Sequence, residues 1–129
     1  MISITSKSPY AVQALCELAK HGDVGPVPIA ELARAREIPV QFLEQLFATL
    51  RRAGILRSQR GVKGGYSFER PPAEVTALEI VELLDGKLGS DASGVFADAA
   101  RAAAAVLGAA TIEELAAAES HSGSQMYQI

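Results

Sequence analysis

Between Ile55 and Phe68 the chain reads ILRSQRGVKGGYSF, two β-type runs around a tip of Arg60, Gly61, Val62, Lys63, Gly64 and Gly65. Glycines allow the positive φ angles of a tight hairpin. The tip carries two cations with no carboxylate between them, a chemistry that suits phosphate. Just upstream, Gln41, Glu44 and Gln45, with Thr49, fall on the polar side of a helical pattern whose apolar side is Leu43, Leu46, Phe47 and Leu50. Glutamine pairs with adenine edges and glutamate accepts from cytosine N4, so these types suit base readout in a major groove. Taken without the hairpin they equally describe a solvated helix face. Arg51 and Arg52 at the helix end, with Arg57, Arg60 and Lys63, suit phosphates, whose contacts position a protein and make its affinity depend on salt.

Those side chains need a frame. Ser8 or Ser6 can cap a first helix over about Pro9–Lys20, with Val12, Leu15, Cys16 and Ala19 on one face. A turn-rich link, Asp23–Pro28, leads to a second helix from Ile29 to about Arg36. After a short Ile-Pro turn the third helix runs from about Gln41 to Ala53, with Gly54 as its C-cap. Helix, turn, helix, then a basic hairpin is the layout of a winged helix-turn-helix domain, so the expected fold is mainly α with a small β-hairpin. Pro71-Pro72 stops the sheet. Thr76 with Glu79 caps a helix over Ala77–Leu84, an alanine-dense helix spans Val95–Leu107, and Thr111 with Glu114 caps one more to about Ala118. Glu119–Ile129 has little helical character and is expected to be loose. The expected division is a DNA-binding domain over 1–86, connector and dimerisation helices over 87–119, and a flexible tail over 120–129.

Net charge of −3 looks wrong for a nucleic-acid binder until it is mapped along the chain. From Glu31 to Arg70 eight cations, Arg34 and Arg36 among them, face four acids, a local +4; from Pro71 onward only Lys87 and Arg101 oppose nine acids, giving −7. The partner feels this polarity rather than the average. No apolar run approaches the ~20 residues that span a bilayer and no signal-peptide pattern opens the chain, so a cytoplasmic location is expected. One cysteine forms no internal disulfide.

Six ordered motifs carry a resemblance: Thr5-Ser6-Lys7, Tyr10-Ala11, Ile29-Ala30-Glu31-Leu32-Ala33, Phe42-Leu43-Glu44-Gln45-Leu46, Leu50-Arg51-Arg52-Ala53-Gly54 and Arg60-Gly61-Val62-Lys63-Gly64-Gly65-Tyr66. With Arg70-Pro71-Pro72 and the helix of Thr76–Gly86 they resemble the Rrf2 family of bacterial winged-helix transcription regulators over about residues 1–119. The resemblance implies a homodimer paired through the helix of Val95–Leu107, bound to a partly palindromic operator of double-stranded DNA, with Lys7 among the DNA-contacting residues. Many relatives hold an iron–sulphur cluster on three cysteines in the connector; here Lys87–Gly94 contains none, so no cofactor is expected. Pro9 replaces a basic residue common in relatives. The ending Gln125-Met126-Tyr127-Gln128-Ile129 resembles the tail of the cluster-free CymR-type branch, which regulates cysteine metabolism with cysteine synthase (O-acetylserine thiol-lyase) as partner. On that resemblance Tyr127 and Ile129 are the partner-binding residues, the terminal carboxylate taking the substrate's carboxylate site.

Catalysis is not expected: no serine–histidine–acid or cysteine–histidine constellation and no metal-ligand spacing is present, and Gly61–Gly65 lacks the ending of a phosphate-cradling loop. Two other readings stay open. One is a redox or small-molecule-responsive regulator acting through Cys16 or the dimer interface. The other is a winged helix that binds protein.

Overall fold

The computed structural model describes residues 4–22 and 24–127, the last seven of these as backbone. In chain order the elements are α1 (Lys7–Lys20), α2 (Ile29–Arg36), α3 (Val40–Arg52), β1 (Leu56–Gln59), β2 (Gly65–Phe68), a 3-10 turn (Pro72–Glu74), α4 (Ala77–Asp85), α5 (Val95–Gly108) and α6 (Ile112–Tyr127). The mainly helical fold with one small antiparallel sheet is the expected one.

Helix α1 is the hub, packed against α2, α3, α4 and α6. Neighbours on several sides bury more than one stripe, so Ala11, Ala14, Leu15, Cys16 and Leu18 are all buried, whereas Val12 and Ala19 are only partly so. From α3 come Leu43, Leu46, Phe47 and Leu50, and from α6 come Ile112 and Ala116. Each large apolar side chain closed off in this way contributes roughly 1.5–3 kcal/mol.

The start of α1 differs from the expected serine cap. Ser6 occupies the cap position without a side-chain bond, and the backbone N–H of Lys7 donates to Thr5 Oγ1 at 3.2 Å. Buried Ser8 instead donates its hydroxyl to Asp85, 2.5 Å away, and Thr5 donates to the other carboxylate oxygen at 2.5 Å. Because α1 has no acid in its own first turn, the last residue of α4 supplies the negative charge that a helix N-terminus favours. Burial raises the Asp85 carboxyl, but the bonds from Ser8 and Thr5 and the charge of Lys7 outweigh it, leaving the group below its ordinary value.

Helices α4 and α6 start side by side. The Ala77 N–H donates to Ala110 O and the Ile112 N–H to Val75 O, both at 2.8 Å. Thr76 Oγ1 accepts from the Glu79 N–H and Thr111 Oγ1 from the Glu114 N–H, the two expected caps. Helix α6 continues to Tyr127 rather than ending near Ala118. Glu119 holds it in place: its carboxylate takes both Arg36 nitrogens, at 3.0 and 2.7 Å, and Lys20 at 3.1 Å. Tertiary anchoring of this kind stabilises a helical turn that local propensity alone would not.

Candidate nucleic-acid interface

Two backbone motifs aim α3. At the end of α2, Glu37 adopts a left-handed conformation (φ 54°, ψ 46°), its N–H donating to Arg34 O at 3.3 Å and that of Ile38 to Ala33 O at 2.9 Å. This paired arrangement stops the helix and turns the chain, with Ile38 buried beneath it. The same device ends α3. Gly54 (φ 81°) donates to Arg51 O and Ile55 to Leu50 O, both at 3.0 Å, before the chain enters β1.

Between these ends α3 divides cleanly. Leu43, Leu46, Phe47 and Leu50 face the core, while Gln41, Glu44, Gln45, Arg51 and Arg52 are exposed. Positions 41, 44 and 45 fall at i, i+3 and i+4, one outward stripe. Thr49 lies half-buried beside it, its hydroxyl donating to Gln45 O and accepting from Arg52 at 3.3 Å.

The hairpin is fixed against α3 from two sides. Arg51 donates to Ser58 of β1 at 3.4 Å, and the Tyr66 ring stands edge-on to Phe47 with centroids 5.1 Å apart. A third chain segment, from the turn-rich link before α2, adds one bridge to the small sheet. The Val27 N–H donates to Tyr66 O at 2.9 Å and the Tyr66 N–H to Val27 O at 2.8 Å. This contact explains Gly65: a Cβ there would lie 2.3 Å from the Val27 carbonyl, and one on Gly64 would lie 2.2 Å from Gln59 O. Those two glycines serve close approach within the chain itself, while Gly61 (φ 110°) faces open space and serves the turn.

At the tip Arg60, Val62 and Lys63 are exposed, Val62 fully so. Arg60 and Lys63 make no ion pair or hydrogen bond among the described residues. Strand alternation turns Arg57 to the other side of the wing from Ser58. There it reaches Ser67 at 3.3 Å and Glu69 at 3.8 Å. Lys7 is exposed at the first position of α1, beside the Asp85 contact. Tyr127 ends α6 with its side chain outside the described residues, as is the whole of Ile129.

Two cations of the basic middle do not belong to this surface. Arg36, with a side chain only 16% exposed, is held by Glu119 and by Glu17 at 2.9 Å. Arg70 donates to Glu79 and to Glu74 O. The Arg36–Glu119 pair lies near Cys16, whose thiol is fully buried. Burial above all, then the Glu119 charge, pushes that thiol up to about 11, so it stays protonated at neutral pH.

The comparisons with known proteins agree with this geometry. Over 84 residues the chain is 39% identical to the HTH-type transcriptional regulator IscR of Aliivibrio salmonicida, covering 65% of this chain and 50% of that one. The chain spans about half the length of the curated relatives of this kind that it matches. Its fold is similar to that of CymR (YrzC), the global cysteine regulator of B. subtilis, with a TM-score of 0.81 and 31% identity over 91% of this chain and 98% of that one. It is also similar to T. potens IscR, with a TM-score of 0.78 and 33% identity over 88% and 85% of the two chains. The family model described as Rrf2, iron-dependent transcriptional regulator, matches residues 4–118. With the helix-turn-helix and wing in place, the chain belongs to the Rrf2 family of transcriptional regulators.

Proposed function

We propose that the chain is a DNA-binding repressor that works as a homodimer and without an iron–sulphur cluster of its own. The observation that carries the DNA reading is the outward stripe of α3 standing beside a wing tip whose two cations engage nothing else among the described residues. Gln41, Glu44 and Gln45 enter the major groove and read base edges. Arg51, Arg52, Arg60 and Lys63 take phosphates, with Lys7 and Arg57 at the margins of the same contact. Val62, a fully exposed β-branched residue at the hairpin tip, rests its methyls on the groove wall.

Residues 87–119 supply the pairing. On α5, Val95, Ala99, Ala102 and Val106 are exposed at spacings of four, three and four, with Phe96 alongside. Val95, Phe96 and Val106 are 71%, 65% and 70% exposed, more apolar surface than an unpartnered helix ordinarily shows to water. A two-fold pair through this stripe presents two copies of α3 roughly 34 Å apart, one turn of DNA. Binding-site selection from random duplexes tests the reading: it should enrich a partly palindromic site with half-sites one turn apart. No enrichment, or a single unpaired site, contradicts it.

The family description names iron, and the donors of this chain do not fit a cluster. Thiolates are its usual ligands. The connector between α4 and α5 offers none, and the chain's one cysteine is Cys16, buried in the core as a neutral thiol. Among the described residues no three histidine, cysteine or acidic side chains gather in a metal-binding group. The signal therefore comes from elsewhere. Likeness to CymR and the ending Tyr127-Gln128-Ile129 support control of cysteine metabolism in the cytoplasm through a complex with cysteine synthase. Deleting Ile129 should abolish pull-down of that enzyme and spare DNA binding; retained pull-down defeats the tail reading.

A further inference from the structure

Lys87 and Arg101 are the only cations in the sequence after Arg70, and both border one cavity of about 340 Å³ between α4, the connector and α5. Its apolar lining, Leu78, Leu88, Ala92, Ala97, Ala100 and Ala104, is mostly alanine. Its third charged residue is Glu82, from α4. Arg101 is steadied by Asp98 of its own helix, whereas Glu82 and Lys87 form no ion pair with each other or with any other described residue. The connector is pressed onto α5 at one wall, where Gly89 (φ +70°) comes so near that an added Cβ would lie 2.4 Å from the Cβ of Ala100.

Opposite charges that border one cleft without pairing match a molecule carrying both signs. The volume falls within the range of about 300–1,000 Å³ typical of small-molecule sites, at its lower end. Helical periodicity keeps this cleft clear of the pairing stripe: positions 97, 101 and 104 point one way and 95, 99, 102 and 106 the other. We propose that the cleft binds a small free α-amino acid. Its carboxylate is held by Lys87 and Arg101, its ammonium group by Glu82, and its side chain lies on the alanine lining. Lys87 follows Asp85 by two residues, so occupancy tightens the connector beside the carboxylate that holds the first turn of α1. Binding at this cleft does not depend on the function proposed above.

Calorimetric titration of the full chain with each standard amino acid tests the site. At least one small amino acid should saturate at one per chain. Glu82→Gln and Lys87→Ala should each weaken it at least about tenfold, the loss of one charge-assisted contact. The analogue lacking the amino group should weaken similarly. Ala104→Leu, which fills the cleft and keeps every charge, should abolish binding while the circular-dichroism melt stays that of a folded protein. The proposal is overturned if no amino acid saturates the chain up to about 10 mM, a range that still detects millimolar affinity. It is equally overturned if the charge variants or the deaminated analogue bind as tightly as the parent pair.

Discussion

A methyl group on Gly65 would sit 2.3 Å from the backbone carbonyl of Val27, with φ at +150°. The same change at Gly61, also at positive φ, meets open space. The two glycines look alike in the sequence and differ in consequence. Gly61→Ala should cost on the order of 1 kcal/mol in backbone strain. Gly65→Ala adds a backbone collision and should cost about 2–4 kcal/mol, because the bond pair between Val27 and Tyr66 must open. Thermal melts of the two variants decide this; equal losses would show that the Val27 contact does not hold the wing. What was legible here was the hairpin itself. The reason for Gly65 was not, since Val27 lies between two prolines and makes a one-residue bridge with no alternating pattern to announce it.

Contacts between elements rest on two carboxylates whose partners are distant in sequence. Asp85 joins α4 to α1 through Thr5 and Ser8, and Glu119 joins α6 to α2 and α1 through Arg36 and Lys20. The bond from Arg36 is the main cause that lowers the Glu119 carboxyl, and Asp85 is lowered as well. A depressed carboxyl stabilises the fold fully above its unfolded pKa, and that stability is lost as pH falls through the folded value. The melting temperature should therefore fall as pH drops below the ordinary carboxyl range of about 4, more steeply for the parent chain than for a variant carrying Asp85→Asn and Glu119→Gln. Parallel pH profiles would assign acid sensitivity to other groups. Helix α5 makes a separate claim. Val106→Glu places a charge in the exposed stripe, so light scattering should find a monomer where the parent should give a dimer, with the circular-dichroism spectrum still that of a folded helical protein. A parent that is already monomeric contradicts the pairing surface.

Charge polarity along the chain made a basic face legible despite the net acidity, and the polar stripe of α3 and the caps at Thr76 and Thr111 followed from local pattern. Counting cations by segment overstated that face. Arg36 and Arg70 fall within the basic segment, yet Arg36 turns inward to Glu17 and Glu119, and Arg70 pairs with Glu79. Pairing across 83 residues leaves no local signature. What remains on the surface is a compact set at the end of α3 and the tip of the wing. That set makes the account of the whole protein quantitative: if Arg60 and Lys63 neutralise phosphates, each contributes about one unit to the dependence of log affinity on log salt. The decisive measurement is a gel-shift salt titration on the selected duplex, with the parent and the Arg60→Ala, Lys63→Ala variant side by side. The parent should weaken steeply and linearly on logarithmic axes, and the variant should bind more weakly with a slope shallower by about two for each protomer. Binding that ignores salt, or a variant with the parent's slope, would contradict it.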